Sequence, residues 1–223
     1  LMVVSCLVTL ELTGITVSFN SAPLEWWLSL PIIVIYPLLF GWVSYQTATK
    51  LAEHKRRLQV MSTRDGMTGV YNRRHWETML RNEFDNCRRH NRDATLLIID
   101  IDHFKSINDT WGHDVGDEAI VALTRQLQIT LRGSDVIGRF GGDEFAVIMS
   151  GTPAESAITA MLRVHEGLNT LRLPNTPQVT LRISVGVAPL NPQMSHYREW
   201  LKSADLALYK AKKAGRNRTE VAA

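Results

Sequence analysis

Cysteine is scarce in this chain of 223 residues: only Cys6 and Cys87 are present, and their separation makes no metal-ligand spacing. Neither a disulfide framework nor a zinc site is therefore predicted. The net charge of +3 is also small for this length, and part of it comes from the basic run 50–57. Binding to nucleic acid is not indicated, because that function usually needs a strongly basic surface.

Charged residues are almost absent from the first 45 positions, where two apolar runs, 1–19 and 28–45, stand out. Each run is close to the roughly 20 residues that a helix needs to cross a bilayer. Trp26 and Trp27 precede the second run, as interfacial aromatic residues do, and basic residues follow it. We therefore predict two transmembrane helices in contact with lipid, with the remaining residues in the cytoplasm. Two buried helices of a soluble protein are the alternative.

Three parts of the chain are predicted: the transmembrane part at 1–45, a helical linker at 46–63 and a catalytic domain at 64–223. Because the chain opens inside an apolar run without an initiator methionine, further membrane spans are expected before it. The linker has no proline or glycine and carries Leu51 and Leu58 at helical spacing. It can pair with a second copy as a short coiled coil, or pack as an amphipathic helix on its own domain.

From Asp65 onward, the patterns of helices and strands alternate. We predict helices near 73–91, 115–131, 154–171 and 200–213, and strands near 94–101, 136–140, 145–149 and 179–187. Asn72 is the expected N-cap of the first of these helices. This order of elements indicates an α+β fold, with helices on the faces of an antiparallel or mixed sheet.

Two acidic pairs follow from this arrangement. Asp100 and Asp102 end the predicted central strand, and Asp143 and Glu144 stand at the tip of the hairpin. Like charges gathered there would repel each other unless a cation lay between them, and oxygen ligands favour Mg²⁺ or Mn²⁺. Acidic residues at strand ends are also commonly just solvated, so the pairs alone leave this alternative open.

The sequence Gly141-Gly142-Asp143-Glu144-Phe145 reads GGDEF and resembles the signature of the diguanylate cyclase family. Four further blocks match this family in the same order: 64–74, 100–117, 184–186 and 204–217. The resemblance covers about residues 64–218. It implies a palm-like fold with a mostly antiparallel central sheet, and a reaction in which the 3′-hydroxyl of each GTP attacks the α-phosphate of the other.

The resemblance also implies metal-binding positions. Asp100, the carbonyl of Ile101 and Asp143 match the ligands of two Mg²⁺ or Mn²⁺ ions per active site. Glu144 matches a residue that either binds metal or activates the attacking hydroxyl. Asp100, Asp143 and Glu144 are therefore the expected catalytic residues.

Further positions match the family's contacts with GTP. Asn108 and Asp117 match the residues that read guanine, an assignment that suits the donors and acceptors of this base. The matches for the phosphate contacts and the adjoining turn are Lys105, Lys212, Arg216, the backbone at His103 and Phe104, and Gly141 with Gly142.

Arg132 and Asp135 form an RxxD sequence at the offset of the family's product-inhibition site. The resemblance implies that cyclic di-GMP binds there as an inhibitor, with Arg163 as a secondary contact. Departures from the family pattern are small: Met67 and Val70 replace common leucines, and Trp111 replaces another aromatic residue, all within volumes that cores tolerate.

Two other functions compete with this prediction. One is a non-catalytic receptor for cyclic di-GMP, which is disfavoured because the hairpin residues are intact. The other is a palm-type nucleotidyltransferase acting on a polynucleotide, which is disfavoured because no basic, aromatic groove is evident. Since each site is expected to hold one GTP, a homodimer is predicted. The layout of the chain resembles the membrane-bound AdrA type of the family, which implies a multi-pass protein of the bacterial inner membrane.

Overall fold

The computed structural model describes residues 7–10, 15–18, 35–51, 63–174, 176 and 178–222. The chain divides into two compact units, Leu1–Met61 and Ser62–Ala223. In the first unit, β1 (Leu7–Leu10) and β2 (Ile15–Ser18) pair in antiparallel register, and a helix, α1, is described over residues 35–51.

The first predicted membrane span is wrong, because its described residues form this antiparallel strand pair. β-branched residues are frequent in both strands, and they favour extended backbone. Helix α1 changes from apolar side chains to the largely polar sequence of residues 44–50. Over the residues described, no helix combines the length and the apolar character needed to cross a bilayer. The predicted location in the bacterial inner membrane is therefore also wrong. Residues 52–62 of the predicted linker lie outside the described residues.

The second unit is built on a mixed sheet of six strands in the order β3-β5-β6-β4-β7-β8. Its strands are β3 (Tyr71–Asn72), β4 (Ala94–Ile101), β5 (Val136–Arg139), β6 (Glu144–Ser150), β7 (Ile183–Pro189) and β8 (Arg218–Val221). The four central strands are antiparallel to one another, whereas the edge strands β3 and β8 pair in parallel with β5 and β7. The predicted α+β class with a mixed sheet is confirmed.

Five helices accompany the sheet in the described part of this unit. They are α2 (Arg73–His90), α3 (Phe104–Trp111), α4 (His113–Thr130), α5 (Ala154–Thr170) and α6 (Tyr197–Lys213). Helices α4 and α5 contribute to the apolar core on one face of the sheet, while α2 and α6 contribute to the core on the other. This layering places the ends of the central strands between the two sets of helices.

Strand β4 is central because both of its faces are apolar. Leu97, Ile99 and Ile101 belong to one core, and Leu96 and Ile98 belong to the other. Every residue of the strand is buried, as expected for a continuous apolar run in the middle of a sheet. The strand therefore delivers Asp100, near its carboxyl end, to a largely buried position.

Helix α2 begins at the predicted residue. The side chain of Asn72 accepts a hydrogen bond from the His75 amide at 3.0 Å, and so caps the helix. Trp76 is fully buried and donates from Nε1 to the Val136 carbonyl at 3.0 Å. A Cβ on Gly138 would overlap the Trp76 ring, so this glycine lets α2 pack closely on β5.

Candidate active site

The acidic residues from the strand and the hairpin come together at one edge of the sheet. Asp100 of β4 lies opposite Glu144 of β6 in the antiparallel register. The next amide along, that of Ile101, donates to the carbonyl of Asp143 at 3.3 Å. The pairing of β4 with β6 therefore brings all three carboxylates together, although Asp100 is more than forty positions from the other two in sequence.

Asp100 shares this place with a lysine from the last turn of α6. The Nζ atom of Lys212 lies 2.7 Å from Oδ2 of Asp100, which is 8% exposed. Burial nevertheless raises the pKa of Asp100 above its usual value; Lys212 opposes this shift, and Asp143 and Asp102 add to it. Burial also raises the pKa of Glu144, with further repulsion from Asp100.

Burial is the main cause of these raised pKa values, and repulsion between the neighbouring carboxylates adds to it. A cation with oxygen ligands would relieve that repulsion, so the donor set fits Mg²⁺ or Mn²⁺. Among the described residues, no group of three or more His, Cys, Asp or Glu side chains could by itself hold a metal ion. The predicted ligands Asp100, Asp143, Glu144 and the carbonyl of Ile101 stay a prediction.

The turn between β5 and β6 is held by an arginine that sequence reasoning missed. Arg139 donates from Nη2 to the Gly142 carbonyl at 2.8 Å and from Nε to the Gly141 carbonyl at 3.2 Å. The Phe140 amide closes the turn by donating to the Glu144 carbonyl at 2.8 Å. A long cationic side chain two residues before a tight Gly-Gly turn was the signal that could have identified it.

Arg139 also ties the hairpin to the segment that precedes β3. Its Nη1 lies 3.1 Å from Oδ1 of Asp65, and the same oxygen accepts from the amide and the hydroxyl of Thr68. Burial alone would raise the pKa of Asp65, but the Thr68 hydrogen bonds and Arg139 together lower it. Arg139 therefore joins the segment around Asp65 to the hairpin of β5 and β6.

Asp102, the second acidic residue after β4, is not oriented as a member of the acidic cluster. Its Oδ1 accepts from the Ser184 hydroxyl at 2.7 Å, and its Oδ2 accepts from the Asn217 amide at 2.8 Å. Both oxygens of this buried carboxylate are therefore occupied by protein donors. Of the two acidic residues predicted at this strand end, only Asp100 has its carboxylate beside Lys212.

The two residues predicted to read guanine lie on neighbouring helices, Asn108 on α3 and Asp117 on α4. The Oδ1 atom of Asn108 is buried and has no hydrogen-bond partner in the described part of the chain. Any Cβ on Gly116 would overlap this oxygen, so the glycine makes room for the amide. A buried acceptor without a donor suits a ligand that brings an N–H group.

The residues predicted to contact phosphate come from two elements. His103 precedes α3 in a left-handed conformation, with φ of 58°, and no side chain caps the helix. The first amides of α3 are therefore able to donate to an anion, next to the exposed Lys105. Arg216 lies in the exposed loop after α6, one turn beyond Lys212.

Arg132 and Asp135 line a separate cavity of 220 Å³, together with Arg64 and Tyr71. Oδ2 of Asp135 accepts from the Arg132 amide at 2.9 Å, while Oδ1 is buried without a hydrogen-bond partner in the described residues. Burial raises the pKa of Asp135, although the Arg132 amide and charge oppose it. Arg163 is exposed on α5 and is not among the residues that line this cavity.

Residues 62–218 match the sequence model of the family described as "Diguanylate cyclase, GGDEF domain". Over 159 residues, 70% of this chain, the sequence is 35% identical to diguanylate cyclase DosC of Escherichia coli K12. It is 30% identical over 193 residues, 81% of this chain, to cyclic di-GMP phosphodiesterase NbdA of Pseudomonas aeruginosa PAO1. The matched regions are 34% of DosC and 25% of NbdA, so the chain spans about a third or less of these relatives.

The fold is similar to the crystal structure of the GGDEF domain of DgcB from Caulobacter crescentus in complex with c-di-GMP. The TM-score is 0.68 with 30% sequence identity, and the match covers 72% of this chain and 93% of that domain. The similarity thus extends over nearly the whole of that domain.

Proposed function

Since the chain belongs to the GGDEF-domain family of diguanylate cyclases, we propose that it joins two GTP molecules into cyclic di-GMP and releases two pyrophosphates. The observation that carries the proposal is the convergence of Asp100, Asp143 and Glu144 beside Lys212. An intact acidic cluster of this kind is what phosphoryl-transfer chemistry requires of the protein.

Asp100, the Ile101 carbonyl and Asp143 would hold two Mg²⁺ or Mn²⁺ ions. When bound, such ions stabilise the negative charge that develops on the α-phosphate and on the leaving pyrophosphate. Glu144 lies in the same carboxylate cluster, where it can serve either as a ligand or as the acceptor of the hydroxyl proton. Its raised pKa suits the second role, because a better base accepts a proton more readily.

In each chemical step, one phosphorus–oxygen bond forms and another breaks. The 3′-oxygen of one GTP forms a bond to the α-phosphorus of the other, the bond from that phosphorus to the β-phosphate oxygen breaks, and the hydroxyl loses its proton. Repetition in the opposite sense closes the ring. Two domains must face each other for this exchange, so the proposed active form is a homodimer.

Guanine is the proposed base because Asn108 and Asp117 offer the groups that guanine needs. The carboxylate of Asp117 can accept from N1–H and the 2-amino group, whereas adenine has no such pair of donors. The buried, unpartnered oxygen of Asn108 supports this assignment. Lys105, Lys212 and Arg216 would contact the β- and γ-phosphates.

The cavity at Arg132 and Asp135 is proposed as a site for product inhibition. Guanidinium and carboxylate groups together match the two edges of a guanine base, and Oδ1 of Asp135 is available as an acceptor. Cyclic di-GMP bound there would lower the rate of synthesis without entering the active site.

Incubation of the protein with GTP and Mg²⁺, with products resolved by chromatography and mass, tests the proposal. The parent should form cyclic di-GMP, and a double variant, Asp143→Ala with Glu144→Ala, should form none. Asp85→Ala with Glu166→Ala removes two exposed carboxylates from α2 and α5 and should leave the rate unchanged.

Other outcomes of the same assay favour the alternatives. A parent that makes no product but binds cyclic di-GMP through Arg132 would be a receptor, and the cyclase proposal would be wrong. If the parent is active and Arg132→Ala relieves inhibition by added product, the regulatory part of the proposal holds. Unchanged inhibition in that variant would contradict it.

A further inference from the structure

Asp102 connects the end of the central strand to the loop that follows the last helix. It is 5% exposed, and its two carboxylate oxygens accept from the Ser184 hydroxyl and from the Asn217 amide. Its own amide donates to the Arg182 carbonyl at 2.9 Å. The residue therefore has a fixed orientation, with one oxygen aimed at the backbone of residue 217.

The loop held by this contact has an unusual backbone. Arg216 and Asn217 are both left-handed, with φ of 61° and 47°, and Gly215 before them has φ of 112°. Residues other than glycine adopt this conformation at a cost, so surrounding contacts must impose it. Residues 214–217 are all exposed, which means that apolar burial contributes little to holding them.

Other contacts also hold the loop: Nε of Arg218 donates to the Arg216 carbonyl at 3.3 Å, and the Asn217 side chain is hydrogen-bonded to His165. At its start, the Ala214 amide donates to the Lys210 carbonyl at 2.8 Å and the Arg216 amide donates to the Ala211 carbonyl at 3.0 Å. At its end, β8 pairs with β7, and Thr219 contacts His165 at 3.2 Å. The contact with Asp102 lies between these anchors, directly after Arg216.

We propose that Asp102 is a positioning residue: through the Asn217 amide it sets the backbone at Arg216 so that this side chain meets the β- and γ-phosphates of GTP. The inference rests on the proposed function, and it deepens it. Both oxygens of Asp102 accept from protein donors, so the residue acts here through the loop and not by direct contact with substrate or metal. Replacement of Asp102 should therefore weaken binding of the triphosphate and leave binding of guanine unchanged.

Binding measurements with two nucleotides separate these effects. 3′-Deoxy-GTP lacks the attacking hydroxyl and cannot react, and GMP lacks the β- and γ-phosphates. With Mg²⁺ present, Asp102→Ala should weaken 3′-deoxy-GTP about tenfold, because a buried charge-assisted hydrogen bond is lost. Affinity for GMP should change by less than about twofold. Equal losses of affinity for both nucleotides, or no loss of affinity for either, would overturn the inference.

A double-variant cycle tests whether Asp102 acts through Arg216. In an Arg216→Ala background, Asp102→Ala should lower the affinity for 3′-deoxy-GTP by less than about threefold, because the side chain that Asp102 positions is already absent. Full additivity of the two substitutions would overturn the inference. Asp102→Asn should restore most of the affinity, since an amide oxygen can still accept from the Asn217 amide while Nδ2 faces Ser184.

Ser184→Ala is the matched control. It removes the other hydrogen bond to Asp102 but leaves the one to the loop, so the ratio of the two affinities should stay within about twofold of the parent. If Asp102→Ala does not fold, Asp102→Ser takes its place in the cycle, because its side chain is polar but too short to reach the Asn217 amide. A parent that binds neither nucleotide overturns the proposed function and this inference together. A parent that binds both, without selective loss in the variants, overturns only the inference.

Discussion

Arg139 donates a hydrogen bond from Nη2 to the carbonyl of Gly142 at 2.8 Å, directly before Asp143 in the sequence. The last residue of β5 thus holds the turn between β5 and β6. The same guanidinium reaches Asp65, so displacement of the segment before β3 would pull on the turn that carries the acidic residues.

Replacement of Arg139 by lysine should lower cyclase activity by roughly ten- to a hundredfold, because small displacements of catalytic groups have effects of this size. Lysine keeps the charge but cannot donate in a fork to two carbonyls and a carboxylate. Initial rates with GTP and Mg²⁺ give the measurement. Arg74→Lys, on an exposed position of α2, should retain the parent rate. Parent activity in Arg139→Lys would mean that the clamp has no role in turnover.

Gly116→Ala should raise the KM for GTP about tenfold, the equivalent of one lost hydrogen bond. The new methyl group would overlap Oδ1 of Asn108, and this side chain would have to leave its position between α3 and α4. Gly66→Ala is the control, since a Cβ there meets nothing within 4 Å. A KM equal to that of the control would argue against Asn108 as a guanine contact.

Gly186→Ala should lower the free energy of unfolding by about 1 to 3 kcal/mol, the range of overpacking in a tight core. A Cβ at this position of β7 would overlap the Ala204 carbonyl and the Leu208 amide of α6, and backbone atoms cannot rotate away. Urea unfolding measures the loss. Gly133→Ala, which meets open space, should change stability far less, and equal losses would show that α6 can move off the sheet.

Asp65→Asn should lower stability by about 1 kcal/mol at pH 7, a value reduced by partial exposure to solvent. The pKa of Asp65 is lowered in the folded protein, where the Thr68 bonds and Arg139 outweigh burial. Its stabilisation is therefore complete above the unfolded pKa of about 3.9 and is lost as the pH falls through the lower, folded value.

The difference in unfolding free energy between parent and Asp65→Asn should accordingly shrink as the pH is lowered through this range. Unfolding curves at a series of pH values measure it, with Asp85→Asn on an exposed position of α2 as the reference. A difference that stays constant down to acidic pH would show that the carboxylate charge at position 65 contributes nothing.

The elements predicted best from sequence were those with strong local patterns. Strand β4 has its predicted bounds, because an uninterrupted apolar run of this length is typical of a strand that is buried on both faces. Helix α2 begins after its expected cap at Asn72. The hairpin strands β5 and β6 fall within one residue of their predicted bounds.

The elements that sequence reasoning missed lack such patterns. Helix α3 has only eight residues and none of them is buried, so its apolar stripe of Phe104, Ile107 and Trp111 is too short to identify a helix by periodicity alone. Strand β8 has the mostly polar sequence RTEV and becomes a strand only because β7 offers a free edge. The strand predicted at 179–187 corresponds to β7, which begins only at Ile183, where pairing with β4 begins.

The acidic cluster could be predicted because its residues belong to contiguous motifs, but its connections could not. The pairing of Lys212 with Asp100 and the contact of Asp102 with Asn217 each join positions more than a hundred residues apart. Hydropathy alone also gave the wrong structure for the first apolar run, because it does not distinguish a helix from short paired strands.

Because β8 follows every other strand of the six-stranded sheet in sequence, it is also the last of them to be synthesised. Residues 94–150, which form three neighbouring strands of the sheet, emerge early and can pair while translation continues. The Asn217 amide and the strand Arg218–Val221 arrive only after every other element of the sheet. A nascent chain halted before residue 217 would have its acidic cluster assembled, yet the loop that bears Arg216 would have no anchor.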